Sequence, residues 1–293
     1  MHQPIDPGSR SAAGCPGGGR GTGRLAAPPR LQRPGALRCA WPALAGALAF
    51  AALLVLVRAG WPPLARLDRG WVALLHRYAL RHPVWTAALQ TLADLGPTWV
   101  MRGLLGAVAV RLWVLGARVP AGWTVAVALL GWAAGRAGGA LVDRPRPHFA
   151  EPVAAGSGGS FPSGPALASA VTCGALLVLV WPRAERPVRV AAGVAAGLVV
   201  LAAGWTGIAL GVHWPSDVLA GWAAAVAVLA GSALAVELWR PGRFGRDVLL
   251  LHRRHRPRVQ RVLAAPLPPA EPAAESVVES VAEPAAERDP GRS

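Results

Sequence analysis

Six long apolar runs govern what this chain can fold into. A bilayer-spanning helix needs roughly 20 mostly apolar residues. Runs of that kind occur at Cys39–Val57, Thr98–Gly116, Ala121–Val142, Pro165–Trp181, Val190–Leu210 and Val218–Trp239. In hydrocarbon each backbone polar group must find its partner inside the protein, and a helix does this within one segment. The runs therefore predict an all-α fold, a polytopic membrane helix bundle of about six transmembrane helices. Composition agrees: 53% of the 293 residues are hydrophobic, too many for a soluble domain of this size. Between the first two runs, Leu67–Leu92 mixes apolar patches with Arg69, His76, Arg77, Arg81 and His82. That pattern predicts interfacial or short amphipathic helices rather than a span.

The ends read differently. Residues 1–36 are rich in Gly, Pro and Arg without hydrophobic period, which predicts a disordered basic tail. Residues 37–240 hold the helical domain. Residues 241–293 read as a second disordered tail, basic at His252–Arg258 and acidic beyond. There Glu271, Glu275, Glu279, Glu283 and Glu287 recur every four residues, a like-charged stripe that a helix would not favour.

Lysine is absent, and the formal net charge is +15. Arg20, Arg24, Arg30, Arg33 and Arg38 precede the first run. Arg118 follows the second, Arg183, Arg186 and Arg189 follow the fourth, and Arg240, Arg243 and Arg246 follow the sixth. If the spans alternate, all these groups share one side, so both termini are expected in the cytoplasm. Asp143–Gly164 and Gly211–Asp217 then face outside together, in a multi-pass protein of the cell membrane. Arg69, Arg77 and Arg81 fall on the outer side, against the trend. A nucleic-acid partner is not expected, because no zinc pattern, aromatic RNA platform or soluble basic domain accompanies the charge. Cys15, Cys39 and Cys173 have no metal-ligand spacing and suggest no disulfide framework. The first apolar run begins only near Cys39 and reads as a retained span rather than a cleaved signal.

Three stretches sit where predicted spans meet the outer surface: DRPRPHF (Asp143–Phe149), SFPSGP (Ser160–Pro165) and GVHWPSD (Gly211–Asp217). They bring Arg144, Arg146, Ser163, Gly164, His213 and Asp217 to one end of the bundle. Guanidiniums, a helix amino terminus and a histidine with a carboxylate nearby suit a phosphate. His213 and Asp217 are four residues apart, so on a helix beginning near Pro215 the carboxylate is expected to hold one imidazole nitrogen and aim the other at substrate. Ser163 suits either a helix N-cap or an anion contact.

These stretches resemble the signature of the type-2 phosphatidic acid phosphatase superfamily, which also includes bacterial diphosphate-lipid phosphatases and vanadium haloperoxidases. The family pattern is a Lys, six residues and Arg-Pro; then Pro-Ser-Gly-His; then Ser-Arg, five residues, His, three residues and Asp. Order, spacing and span layout agree from about Cys39 to Trp239. The resemblance implies a phosphohistidine mechanism with His213 as nucleophile and Asp217 as its orienting partner. It implies Arg146, Ser163 and Gly164 as ligands of phosphate oxygens. It also implies a phosphorylated membrane lipid as substrate, on the outer face of the bilayer. No cofactor and no metal are expected, since no carboxylate cluster stands ready for one.

The chain departs from the pattern at three positions. Gly139 stands at the Lys position, Pro165 at the His position, and Thr206-Gly207 at the Ser-Arg pair. Pro165 suits the first turn of a helix, where its missing N–H costs little, but cannot donate a proton. Arg136 and His148 are the candidate substitutes. Arg136 precedes Gly139 by one helical turn and suits either a polar bundle lining or the site. His148 follows the Arg-Pro pair and reads first as a surface histidine, second as a replacement acid. The leading function is hydrolysis of a lipid phosphate or diphosphate. The alternatives are an inactive lipid-binding or scaffold protein and a carrier of phosphorylated lipids.

Overall fold

The computed structural model describes residues 34–96, 98–182, 184–241 and 248. The expected tails lie almost wholly outside the described residues. Within them the chain forms α1 (Pro34–Arg58), α2 (Pro62–Arg81), α3 (Pro83–Leu95), α4 (Thr98–Val114), α5 (Arg118–Val142), α6 (Gly164–Val180), α7 (Arg186–Ala209) and α8 (Pro215–Trp239). No strand occurs among the described residues. The protein is an all-α, multi-pass membrane protein.

Six of these helices correspond to the six apolar runs, with small shifts at their ends. Helix α8 begins three residues early because Pro215, with its preset φ and missing N–H, fits the first turn. Helices α1, α5, α7 and α8 have the length and hydropathy of membrane spans. Helices α4 and α6 have 17 residues each, about 25 Å at 1.5 Å per residue, slightly less than the hydrocarbon core. The mixed stretch between the first two runs is two helices. Pro83 separates them, since the residue before a proline is pushed out of helical geometry.

Helix α8 is the hub and packs against α1, α2, α5, α6 and α7. Its neighbours α4, α5 and α6 complete the main core, where Leu105, Trp123, Val127, Leu167, Val171 and Ala225 are buried. Polar contacts cross that core: Trp123 Nε1 donates to Ser232 Oγ at 3.0 Å and Thr172 Oγ1 to the Met101 carbonyl at 3.2 Å. The outward faces are apolar, with Leu44, Leu48, Val194, Leu198 and Leu201 exposed. A surface of that kind is natural against lipid tails and costly in water.

Arginines stack on tryptophans at the ends of α4/α5, α6/α7 and α8. Arg118 lies over Trp113, Arg189 over Trp181 and Arg240 over Trp239. All three pairs occupy helix ends opposite the α7–α8 turn, the ends that the arginine distribution assigns to one side. Ring and guanidinium together suit a headgroup layer.

Helix α2 is amphipathic in the opposite sense from a span. It buries Asp68, Val72, Leu75, His76 and Ala79, positions that share one helix face. With α3 it lies over the ends of α7 and α8, and the His76 ring stacks on Phe149 at 3.7 Å between centroids.

The α1–α8 crossing depends on Gly46. A Cβ there would sit 2.7 Å from the Ala227 nitrogen and 2.9 Å from the Ala223 oxygen, both backbone atoms that cannot yield. Gly46→Val should destabilise the bundle by about 1–3 kcal/mol. Gly231→Ala, whose Cβ meets nothing within 4 Å, should have little effect. Thermal unfolding in detergent checks the pair, and equal melting of both variants would contradict the crossing.

Candidate functional site

The site forms where three loops converge on the amino termini of α6 and α8. Helix α5 ends at Val142, and Asp143 turns the chain with φ 43° in the left-handed region, its N–H returning to the Gly139 carbonyl at 2.9 Å. Aspartate tolerates that conformation better than most residues. The chain then runs extended through the two Arg-Pro pairs. The Ser160 N–H donates to the Arg144 carbonyl at 2.9 Å, which lays the SFPSGP stretch alongside it. The α7–α8 turn uses Gly211, where φ is 68°. Helix α8 then approaches the start of α6 closely at Gly221: a Cβ there would sit 2.9 Å from the Ser163 carbonyl oxygen. The Ser163 N–H donates to the Asp217 carbonyl at 2.9 Å and joins the two helix starts.

His213 is buried, 3% exposed. Its Nδ1 lies 2.9 Å from the Ser160 carbonyl oxygen, and its Nε2 lies 3.2 Å from Arg146 Nη1. A carbonyl only accepts and a guanidinium only donates. Nδ1 therefore carries the proton and Nε2 the lone pair. Burial pushes the His213 pKa down from 6.5 to about 4, helped by the Arg146 charge and opposed by the Ser160 hydrogen bond. The imidazole is thus a neutral base whose lone pair sits on Nε2, facing Arg146.

Arg146 is held by backbone carbonyls on three sides. Nη1 donates to Val212 at 2.9 Å, Nε to Gly158 at 3.1 Å and Nη2 to Ser157 at 3.0 Å. Ser163 is 1% exposed, and its Oγ is buried without a partner in the protein. It is the N-cap residue of α6 but makes no side-chain cap bond. An orphaned hydroxyl beside a helix amino terminus is a group prepared for an acceptor from outside.

One expectation is corrected here, and a second side chain has partners the sequence did not announce. Asp217 does not hold His213. Its Oδ1 takes Arg144 Nη1 at 2.6 Å, and its Oδ2 takes the Trp214 N–H at 3.0 Å. As the third residue of α8 it reaches back to cap its own helix, so the Ser160 carbonyl fills the place expected for it. Arg144, expected at phosphate, makes its bonds within the protein, to Asp217 and to Asp68, whose Oδ2 lies 2.7 Å from Nη2. Charge-assisted hydrogen bonds to two carboxylates hold the guanidinium in place.

The remaining candidates divide. Arg136 and Gly139 line a polar cavity of about 610 Å³ with Arg146, Gly164, Pro165 and His213. His148 is exposed, with Nδ1 3.5 Å from the Arg146 carbonyl, and lines neither this cavity nor the next. A second cavity of about 730 Å³, lined largely by Leu92, Ala93, Leu198, Val199, Ala202 and Leu210, opens between α3 and α7. It shares Pro165, Val212 and His213 with the first. Gly207 lies against the imidazole: a Cβ there would be 3.3 Å from His213 Cδ2. No group of three His, Cys, Asp or Glu side chains suited to a metal gathers among the described residues.

Sequence reasoning missed Ser160 and Asp68. A backbone carbonyl leaves no trace in residue identity. Asp68 does: it is an acid on the face of α2 that otherwise carries Val72, Leu75 and Ala79, and a charge on an apolar face signals a buried partner.

A buried imidazole beside a fixed guanidinium thus stands at one end of a helical membrane bundle. Residues 119–240 match the model of the PAP2 superfamily. The fold is also similar to the crystal structure of the first transmembrane PAP2 type phosphatidylglycerolphosphate phosphatase from Bacillus subtilis. The TM-score is 0.53 at 20% identity, covering 64% of this chain and 94% of that one. A search of curated proteins finds no match.

The depressed pKa has a measurable result. His213 imidazole signals should titrate near 4 rather than 6.5, and Arg146→Gln should raise that midpoint by removing the neighbouring charge. Because the folded pKa lies below the unfolded one, the stability that neutral His213 contributes is complete above 6.5 and is lost as pH falls toward 4. An unperturbed titration in wild type would contradict the buried geometry.

Proposed function

We propose that the protein is a membrane lipid phosphatase that works through a phosphohistidine on the outer face of the bilayer. The observation that carries this is the position of His213, shared by a polar cavity and an apolar one. A lipid phosphate has the same two-part character: its headgroup suits Arg146, Arg136 and the start of α6, and its chain suits the cleft between α3 and α7.

In the reaction, His213 Nε2 attacks phosphorus, forming an N–P bond as the bond to the leaving oxygen breaks. The Arg146 guanidinium transfers its hydrogen bond from Nε2 to a phosphate oxygen. Gly164 and the Ser163 Oγ hold further oxygens at the α6 amino terminus. The Ser160 carbonyl keeps the Nδ1 proton in place and stabilises the charge that the ring acquires. Water then attacks phosphorus as the N–P bond breaks; inorganic phosphate leaves carrying the water's protons, and the neutral imidazole is restored. Arg136 takes the place of the lysine that Gly139 lacks. Asp217 acts indirectly, by fixing the first turn of α8.

Pro165 sets the substrate preference. A positioned acid contributes roughly 10²- to 10⁴-fold by protonating a leaving group, and proline cannot do so. A lipid monoester must expel an alkoxide. A lipid diphosphate expels a phosphate monoester, which is stable as an anion. The protein should therefore release phosphate from diphosphates such as polyprenyl diphosphates faster than from phosphatidic acid. Pro165→His should raise the monoester rate more than the diphosphate rate. His213→Asn should abolish turnover of both. Phosphate release from a lipid panel measures all three, and equal or better turnover of phosphatidic acid would overturn the role given to Pro165.

The three departures at Gly139, Pro165 and Gly207 favour a second reading, a lipid-binding protein without turnover. It is supported if purified protein releases no phosphate from any lipid of the panel.

Orientation is tested separately. On intact cells, a membrane-impermeant thiol reagent should label Ser157→Cys and leave Cys15 untouched. The reverse pattern would place the site in the cytoplasm.

A further inference from the structure

Asp68 lies on α2, outside the residues that match the superfamily. It is 1% exposed. Its Oδ1 accepts the Ser216 N–H at 3.0 Å, and its Oδ2 accepts Ser216 Oγ at 2.6 Å and Arg144 Nη2 at 2.7 Å. Arg144 Nη1 in turn donates to Ser216 Oγ at 2.7 Å and to Asp217 Oδ1 at 2.6 Å.

The Ser216 N–H is one of the amides at the start of α8 that no earlier turn can satisfy. The N-cap residue, Trp214, has no side-chain oxygen to offer; its indole donates to the Pro145 carbonyl at 3.0 Å instead. Asp68 thus caps α8 from another helix. With the Ser216 and Trp214 amides donating to carboxylates and the Asp217 amide to the Trp214 carbonyl, the start of α8 offers no free N–H to phosphate. At the start of α6, Gly164 lines the polar cavity and the buried Ser163 Oγ has no partner in the protein.

We propose that Asp68 is a positioning residue that sorts the two Arg-Pro arginines, by holding Arg144 and the first turn of α8 as frame and leaving Arg146 as the guanidinium that meets phosphate. The proposal rests on the phosphate-site reading above. Two carboxylates and one guanidinium leave this frame with one net negative charge. Asp68→Asn removes that charge and frees Arg144 Nη2 near the anion site. The variant should bind inorganic phosphate more tightly, by about threefold to tenfold. It should also lose about 100-fold in kcat, as the α8 turn carrying His213 loses its register. Opposite movement of affinity and turnover is the signature, because a merely destabilising lesion lowers the active fraction and leaves phosphate affinity unchanged.

The test uses full-length protein in detergent with inorganic phosphate as probe, read as the shift in unfolding temperature, alongside phosphate release from lipid. Asp68→Glu keeps the charge and should keep wild-type phosphate affinity. Arg144→Lys, which keeps a cation between the carboxylates, should stay within about threefold of wild type in phosphate affinity, and Arg146→Lys should lose about tenfold. These two variants decide the sorting even if Asp68→Asn does not fold. Unchanged phosphate affinity in folded Asp68→Asn, or equal losses in Arg144→Lys and Arg146→Lys, would overturn the assignment. Wild type that binds phosphate yet hydrolyses no lipid would defeat the phosphatase reading alone. Wild type that binds no phosphate would defeat both.

Discussion

The site depends on one buried arrangement of charges: the Arg144 guanidinium between the carboxylates of Asp68 and Asp217. Removing such charges from water costs several kcal/mol per ion, and the cost is met only when each oxygen and each N–H finds a partner. Here Ser216 supplies both an amide and a hydroxyl, and the Trp214 amide takes the last carboxylate oxygen. The arrangement ties α2, the segment after α5 and the start of α8 into one piece. His213, Ser163 and Arg146 are then placed by short backbone links from that piece.

The fold was almost fully legible in the sequence. A span needs length and hydrophobicity, and both are local properties that survive without any knowledge of neighbours. The mixed stretch Leu67–Leu92 was also readable as interfacial or short amphipathic helices. The site was legible in outline. The three loop stretches converge as their spacing suggested, and the imidazole is buried among them.

What failed to come through was the pairing. His213 and Asp217 at i and i+4 looked like partners, yet Asp217 is the third residue of α8 and turns back to cap its own helix. Residue spacing cannot distinguish a carboxylate that holds a neighbour's ring from one that holds its own backbone. The Ser160 carbonyl and Asp68 come from distant parts of the chain, and only packing brings them in. Arg144 and Arg146 are chemically identical in a list of residues. Their different fates are decided by an acid on α2.

The meeting of two cavities at one imidazole has a further consequence. A molecule that fits both has its halves in different solvents, one against lipid-like side chains and the other against guanidiniums and water. If the proposed hydrolysis takes place there, each half is left in the phase it already prefers. The fragments can then leave by different routes, one into the bilayer and one into solution. Recombination would require them to meet again across the boundary between two phases, so it is the partitioning of the products, not any change the site makes to the equilibrium, that opposes the reverse step.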